Sequence, residues 1–286
     1  MSRLTVVKRA LQSATGYGRH LRAVCPFCNM QGHGTKKKNL TFDKGTGKFF
    51  CFRCHNSGKI EGYAIQEEYL ALYDELAQFS PPDNWAELYG FSCSHTLRAR
   101  AYALQVRKLQ AIHIAEARLG TVVTNSRPPK GEQDWRNRLI VPITSSHNEW
   151  LGYVGRDITG KSDLPYMYVR GMQRGKILYN QRALYEDTEE PLYVVEGTLD
   201  AVYLWPNAVA LLGMWTDDQV DLLLETKRPI VVLLDGDAWK KGEALCDILK
   251  MYGARSGWIR LGPKLDPDDV ERSWIKDEGA KCLSVV

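Results

Sequence analysis

Four short, almost continuous apolar runs occupy the last third of the chain. They are "PLYVVEG", "AVALLG", "PIVVLLDGD" and "SGWIRLG", and stretches with helical periodicity separate them. One such stretch, "TDDQVDLLLET", begins at Thr216, and Gln219 three residues later predicts a capping box. Apolar strands that alternate with helices are typical of a buried parallel sheet. This part of the chain is therefore predicted to be an α/β unit.

The pattern before this unit is different. "RLIVPI" and "EWLGYVGRDI" predict an antiparallel pair of strands joined by the polar turn "TSSHN". Residues 63 to 120 are predicted to be helical, in two stretches of which the second spans 94 to 119. Four apolar residues of the first stretch lie on one helical face: Tyr69, Leu70, Tyr73 and Leu76. "SRPPKGEQ" (126 to 133) predicts a linker, because paired prolines and a nearby glycine oppose both helix and strand.

Near the amino terminus, two cysteine pairs enclose a predicted hairpin. Residues 39 to 42 and 48 to 52 are strand-like, and Gly45 and Gly47 predict the turn between them. Two C-x-x-C turns can each supply two converging thiolates, which is what a tetrahedral zinc site needs. We therefore predict one structural Zn²⁺ in a zinc ribbon, bound by four residues: Cys25, Cys28, Cys51 and Cys54. His33 and His55 are close enough in sequence to compete as ligands.

The distribution of charge indicates a polyanionic partner for this segment. Residues 1 to 62 carry twelve Lys and Arg and two acidic residues, a formal +10, whereas the whole chain of 286 residues carries +4. Basic residues alternate with phenylalanines around the hairpin, a mixture that suits a single nucleic-acid strand. The phenylalanines can equally form the ribbon's own core, and we expect that of most of them. Nucleic-acid contact is predicted for four basic residues: Lys36, Lys37, Lys38 and Arg53.

Acidic residues follow successive predicted strands of the α/β unit. Glu196 follows the first strand, and Asp235 and Asp237 follow a later one. Carboxylates at the carboxyl ends of parallel strands meet in the crevice where ligands bind, and hard oxygen ligands favour Mg²⁺. Asp266 and Asp268 follow the next strand and could complete the cluster. A helix-capping role explains single acids of this kind, but less easily two successive groups.

The E-G-x-x-D-A and D-G-D elements resemble the Toprim fold, and the segments before them resemble the RNA-polymerase domain of DnaG-type primases. Those segments are "WRNRLIVPI", "LGYVGRDI", "LPYMYV" and "GKILYN", and the ribbon is similar to the primase zinc module. The resemblance implies an α/β fold: a small amino-terminal zinc ribbon, then a two-part primase core that ends in a Toprim-type parallel sheet. It covers residues 25 to 58 and 136 to 272, and the helical middle matches only loosely.

The resemblance also implies roles for particular residues. Glu196, Asp235 and Asp237 would be catalytic ligands of Mg²⁺ or Mn²⁺, with Asp266 and Asp268 as supporting metal ligands. Template or nucleotide phosphates would be bound by three basic residues: Arg138, Arg156 and Lys176. The implied activity is synthesis of short RNA primers on single-stranded DNA from ribonucleoside triphosphates. The implied domains are 1–62 (ribbon), 63–130 (helical connector), 131–190 (amino-terminal part of the polymerase domain) and 191–286 (Toprim part).

Departures from the family pattern refine this expectation. Four cysteine ligands, rather than three cysteines and a histidine, resemble phage enzymes. We therefore expect a compact phage-style primase with a separate replicative helicase, in the cytoplasm of a bacterial or phage-infected cell. No secretory signal or membrane span is expected. Two alternatives stay open: a Toprim nuclease or topoisomerase-like enzyme, and a non-catalytic zinc-plus-Toprim recombination mediator.

Overall fold

The computed structural model describes residues 7, 10, 11, 14, 20–30, 37–43, 47–51, 53, 54, 57–59, 79–145 and 148–284. The chain divides into two compact units, Met1–Leu76 and Ala77–Val286. This division falls inside the predicted connector, and the predicted boundaries at residues 62, 130 and 190 stay predictions. Within the described residues, no helix has the length and apolar character needed to cross a membrane.

The first unit contains an antiparallel sheet whose strands follow one another in chain order. They are β1 (His20–Ala23), β2 (Leu40–Asp43), β3 (Lys48–Cys51) and β4 (Ser57–Lys59), with a short helix α1 (Pro26–Met30) after β1. The predicted hairpin is confirmed, because Leu40 pairs with Cys51. Gly47 ends its turn at a φ of 71°, a left-handed conformation that glycine adopts without strain, and its N–H donates to the Asp43 carbonyl at 2.8 Å. Gly45 lies outside the described residues.

Phenylalanine side chains form the centre of this unit, as expected. Phe42 and Phe49 are buried, and Phe27 stacks on Phe49 with ring centres 6.3 Å apart. Leu40 and Ala23 pack with them against the buried cysteines. The core is small, so the cysteines make up a large share of it.

The second unit begins with a five-stranded antiparallel sheet whose strands also follow one another in order. These are β5 (Trp85–Glu87), β6 (Gly120–Val122), β7 (Arg138–Thr144), β8 (Trp150–Asp157) and β9 (Tyr166–Tyr168). The predicted pairing of "RLIVPI" with "EWLGYVGRDI" is confirmed by β7 and β8. Residues 126–133, the predicted linker, contain neither helix nor strand.

The prediction of helix between residues 63 and 120 is correct only in part. Three elements agree with it: α2 (Ser94–Ala101), a π-helical turn (Tyr102–Val106) and α3 (Ala111–Glu116). Helix is wrong for β5 and for β6, which begins at Gly120, because Trp85 pairs with Val122 and brings both segments into the sheet. Three-residue strands show no periodic signal of their own, so long-range pairing decides them. Residues 63–78 lie outside the described residues.

The carboxyl-terminal part is the predicted parallel α/β sheet. Its strands β10 (Leu192–Val195), β11 (Ala208–Ala210), β12 (Ile230–Val232) and β13 (Ser256–Trp258) lie in the order β11-β10-β12-β13, and all three pairings are parallel. The helices are α4 (Thr198–Tyr203), α5 (Asp217–Leu223), α6 (Trp239–Met251) and α7 (Arg272–Ser284). Short 3-10 turns occupy Arg174–Lys176, Gln181–Tyr185 and Pro267–Asp269.

Two local features explain why this sheet forms as the sequence predicted. The capping box is confirmed at the start of α5, where the Gln219 N–H donates to the Thr216 hydroxyl at 3.3 Å and the Thr216 N–H donates to the Gln219 side chain at 3.2 Å. Aliphatic side chains of β10, β11 and β12, including Val194 and Val232, form one buried core with helical side chains such as Leu245 of α6. The chain passes from β10 to β11 on one side and then returns to β12 on the other, so the strand order reverses between β10 and β12. A crevice at such a switch point is the usual ligand site of an open α/β sheet.

Candidate metal centres and active site

The four predicted zinc ligands lie together in the first unit. Their sulfurs are all within 4.8 Å of one another, and the Cys25–Cys54 and Cys28–Cys51 Sγ separations are both 3.6 Å. A tetrahedral site with Zn–S bonds of ~2.3 Å would place the sulfurs about 3.8 Å apart. A disulfide would need about 2.05 Å, and all four cysteines are free. The set therefore fits a single Zn²⁺.

The surroundings of the cysteines favour a bound cation. Burial raises the pKa of Cys28 to about 11 and also raises that of Cys25, so these two thiolates need a cation to form here. The Arg53 N–H donates to the Cys51 sulfur at 3.4 Å, as outer groups around thiolate sites do. Lys37, Lys38 and Arg53 are exposed, whereas Lys36, His33 and His55 lie outside the described residues.

In the second unit, the predicted acids lie where the strand order reverses. Glu196 follows β10 and Asp235 follows β12, at the carboxyl ends of adjacent parallel strands. A Cβ at residue 236 would overlap the Gly262 carbonyl, so glycine lets the turn of Asp235 and Asp237 approach the segment before Asp266. The Gly236 N–H donates to the Leu265 carbonyl at 2.8 Å. The D-G-D element thus joins the acids of two neighbouring strand ends.

Asp235, one of the three acids predicted to be catalytic, has a raised pKa in the folded chain. Burial raises its pKa from 3.8 to about 7, and the charges of Asp266, Glu196 and Asp237 contribute to the rise. Its Oδ1 atom is buried without a hydrogen-bond partner. Buried polar atoms are normally paired, so this oxygen is suited to bind a cation. Hard oxygen ligands of this kind suit Mg²⁺ or Mn²⁺, and binding of either ion by the three acids stays a prediction.

A second acidic group continues the edge. Oxygens of Asp266, Asp268 and Asp269 lie within 4.8 Å of one another, and the Asp266 N–H donates to Asp269 at 3.0 Å. We call the carboxylates at the ends of β10 and β12, together with those of this group, the acidic edge. Asp268 is buried, and burial raises its pKa.

Arg107 contacts this edge, and the sequence analysis did not find it. It follows the π-helical turn, and its Nη2 atom lies 2.7 Å from Asp268 and 3.6 Å from Asp200. Asp200 is buried in α4, where burial and the Asp268 charge raise its pKa well above the ordinary value. Arg107 is the counter-ion of both carboxylates. No sequence motif marked it. The π-helical turn before it, a feature that is frequent at functional sites, is visible only in the structure.

The three basic residues assigned to phosphates differ in their surroundings. Arg138 is buried in β7, and its guanidinium donates to the carbonyls of Gly155 and Leu164 and to the Ser162 hydroxyl. Those hydrogen bonds connect β7 to β8 and to the loop after β8, so Arg138 has a structural role. Its contact with phosphate stays a prediction.

Arg156 and Lys176 are more accessible. The Arg156 Nε donates to the Tyr102 hydroxyl at 3.1 Å, and its guanidinium lies 4.6 Å from the Tyr166 ring centre. Burial raises the pKa of Asp266, and the positive charge of Arg156 offsets part of that rise. Lys176 is half-buried at the end of the 3-10 turn Arg174–Lys176. Arg156 therefore lies near the acidic edge, as a phosphate contact would.

The structure combines a zinc-ribbon unit with a parallel sheet that carries acids at its carboxyl edge. This is the combination for which the sequence resembles DnaG-type primases. No protein-family model matches the chain. The chain is 20% identical to the DNA primase of Buchnera aphidicola over an alignment 336 residues long, which covers 93% of this chain and 57% of that protein. It is 28% identical over 176 residues to the DNA primase of Pseudomonas aeruginosa, covering 55% of this chain and 26% of that protein. The chain thus spans little more than half the length of one relative and about a quarter of the other.

Solved primase structures share the fold. The zinc-binding and RNA polymerase domains of the Aquifex aeolicus primase match with a TM-score of 0.53 at 19% identity, covering 99% of this chain and 82% of that one. The DnaG primase catalytic domain bound to single-stranded DNA matches with a TM-score of 0.54 at 22% identity, covering 68% of this chain and 73% of that one. The predicted fold class and the resemblance to DnaG-type primases are confirmed.

Proposed function

We propose that this protein is a DNA primase that synthesises short RNA primers on single-stranded DNA by metal-dependent nucleotidyl transfer. The observation that carries the proposal is Asp235: a buried, unpartnered carboxylate oxygen among acids, at the switch point of a primase-like sheet. The similarity to two DNA primases gives the reaction. In this proposal the sheet is a Toprim sheet, and the chain is a phage-style enzyme.

The acidic edge would hold the catalytic metal. Glu196, Asp235 and Asp237 would bind Mg²⁺ or Mn²⁺, with Asp266 and Asp268 as supports. Two bound ions would supply activation of the attacking 3′-hydroxyl and stabilisation of the leaving pyrophosphate. The chain's own part is to hold these oxygens in place: Arg107 fixes Asp268, and Gly236 allows the two acidic turns to meet.

The basic residues would place the nucleic acid and the nucleotide. Arg156, beside the acidic edge, is suited to a phosphate of the template or of a ribonucleoside triphosphate, and Lys176 and Arg138 would assist. In the ribbon, one structural zinc would fix the hairpin, while Lys36, Lys37, Lys38 and Arg53 bind template phosphates. A related catalytic domain was solved with single-stranded DNA, which supports that partner for this chain.

The cellular setting follows from the same activity. Priming takes place where DNA is replicated, in the cytoplasm of a bacterial or phage-infected cell. A separate replicative helicase would supply the single-stranded template.

A priming assay tests the proposal. Purified protein, circular single-stranded DNA, four ribonucleoside triphosphates and Mg²⁺ or Mn²⁺ should yield short labelled RNA that depends on the template. Asp235→Asn, which keeps the size of the side chain, should abolish the product. Asp247→Asn changes an exposed acid in the middle of α6 and should leave it unchanged.

The other outcomes identify the rival functions. Shortened or nicked DNA without new oligomers would indicate a nuclease or topoisomerase-like enzyme. Tight DNA binding with no metal-dependent chemistry, even with a helicase added, would indicate a recombination mediator. Full priming by Asp235→Asn would contradict the assignment of the acidic edge.

A further inference from the structure

Aromatic and basic side chains cluster at the start of α6, directly after the acidic edge. Trp239 is the first residue of α6 and lies two residues beyond Asp237. Its indole stacks on Trp258, with ring centres 6.0 Å apart and planes at 13°. The Arg260 guanidinium carbon lies 4.2 Å from the Trp239 ring centre, and the Lys240 Nζ lies 5.5 Å from it. We call these four residues and Lys241 the tryptophan–arginine patch.

The topology puts this patch at the same edge of the sheet as the acids, beyond the carboxyl ends of the strands. Trp258 is the last residue of β13, and it pairs with Val232, the last residue of β12. The Ile259 N–H extends the pairing by donating to the Val232 carbonyl at 3.0 Å. Arg260 therefore lies beyond the carboxyl end of β13, as Asp235 lies beyond that of β12. A strand that crosses the acidic edge toward β13 would meet the patch next.

The cations of the patch have no acidic partners among the described residues. Lys240, Lys241 and Arg260 are exposed, and none of them forms an ion pair within that part of the chain. A guanidinium that stacks on an indole is held in a fixed plane, and its N–H groups remain available at the edge for two phosphate oxygens. Three positive charges therefore face solvent, and two of them, those of Arg260 and Lys240, lie over the Trp239 ring.

Half-buried tryptophans beside unpaired cations suit one kind of partner. Single-stranded nucleic acid offers phosphates to the cations and flat bases to the indoles, and each stacked base contributes about 1–3 kcal/mol. The second unit as a whole is slightly acidic, because residues 77 to 286 carry 26 basic and 28 acidic residues, a formal −2. The patch is therefore a local concentration of positive charge in a unit whose net charge is slightly negative.

We propose that the tryptophan–arginine patch binds single-stranded DNA beside the acidic edge. Arg260 and the two lysines contact successive phosphates, and the exposed parts of Trp239 and Trp258 contact bases. The identity of the strand as template rests on the proposed function, whereas binding itself does not.

A binding experiment without catalysis tests the patch. The affinity of the full chain for a labelled oligothymidylate is measured by fluorescence anisotropy over a series of KCl concentrations, with no divalent metal added. The double variant Lys240→Gln with Arg260→Gln should bind about tenfold more weakly. The slope of log K against log[KCl] should become shallower by roughly 1.4, since each phosphate contact with a single strand contributes ~0.7.

The same strand provides a matched control. Arg255 is also exposed, but it precedes β13 and so lies at the opposite end of that strand. Arg255→Gln should keep the affinity and the salt slope of the unchanged protein. Equal affinity and slope for the double variant would overturn the proposal.

Photochemical cross-linking locates the contact. An oligonucleotide that carries 5-bromodeoxyuridine should cross-link to peptides containing Trp239 or Trp258, and Trp239→Leu should reduce the yield. Cross-links confined to residues 1–76 would overturn the proposal. So would a loss of affinity for ribonucleoside triphosphates in the double variant with DNA affinity unchanged, because the patch would then be a nucleotide site.

The two proposals can fail separately. Asp235→Asn should lose priming and keep DNA binding at the patch. A protein that binds DNA through the patch but never makes a primer would contradict the proposed function alone.

Discussion

The four cysteines and the acidic edge are both sets of metal ligands, but they differ in their relation to the hydrophobic core. Cys25, Cys28 and Cys51 are buried members of the core of the first unit. The acids stand beyond the ends of β10 and β12, and the aliphatic core of that sheet does not include them. In the ribbon three of the four ligands are part of a small core, beside Leu40, Phe42 and Phe49, so we expect the fold to depend on the metal. The parallel sheet has a core of its own, to which a metal would only be added.

The largest expected effect is the loss of the zinc site. Cys51→Ser removes one of four ligands from the centre of a unit with a small core, so we expect loss of bound zinc and of protection from hydrogen exchange in β2 and β3. The second unit should keep its thermal transition, because its core is independent. Metal content by mass spectrometry and hydrogen exchange check this result.

Cys93→Ser is the matched control for that experiment. Cys93 is a half-buried free cysteine at the start of α2, outside the ribbon, and its replacement should leave the zinc content at one per chain. Full zinc content in Cys51→Ser would contradict the assignment of the ligands.

The next largest effect concerns the counter-ion of the acidic edge. Arg107→Met would leave Asp200 and Asp268 buried without a cation, and breaking a buried ion pair in this way costs about 3–5 kcal/mol of unfolding free energy. Adding Asp268→Asn should restore part of the stability, because one of the orphaned charges is then absent. Denaturant unfolding of the two single variants and the double variant measures this coupling. Additive effects would show that Arg107 acts independently of Asp268.

A smaller effect comes from the titration of Asp235. Its pKa is raised in the folded chain, so the folded state holds a proton that the unfolded state has lost, and the metal-free protein loses stability as pH rises from about 4 to about 7. Below that range the carboxyl is protonated in both states. Above it the carboxyl is ionised in both, and the loss is complete.

Mg²⁺ should therefore stabilise the protein more at about pH 8 than at about pH 6, where it must displace a proton. Thermal denaturation with and without Mg²⁺ at both values checks this difference. In Asp235→Asn the difference should become smaller, since no carboxyl titrates at that position. An equal shift at both values in the unchanged protein would contradict the role of Asp235.

The sequence predicted the elements whose signals are local. The C-x-x-C pairs, the four apolar strands and the Thr216 capping box depend on near neighbours, and the structure contains all of them. The acids at the strand ends could be assigned because parallel strands place their carboxyl ends at one edge.

The features that the sequence did not predict depend on distant partners. β5 pairs with a strand more than thirty residues away. Arg107 lies in a basic segment that carries no recognisable motif. Only the fold brings Arg107 into contact with Asp268. Arg138 has the residue type of a phosphate ligand, and its three hydrogen bonds to the neighbouring strand and loop depend on that strand's position.

The smallest expected effect on stability separates the acids within the edge. Asp237 is exposed, unlike Asp235, so Asp237→Asn removes a hydrated charge and should change the unfolding free energy of the metal-free protein by no more than about 0.5 kcal/mol. Its affinity for Mn²⁺, measured by titration calorimetry, should nevertheless fall, because a ligand oxygen is lost. Unchanged affinity would remove Asp237 from the ligand set and leave the metal to the more buried acids. A large loss of stability would instead show that the turn around Asp237 contributes to the stability of the folded unit, as the cysteine cluster does in the ribbon.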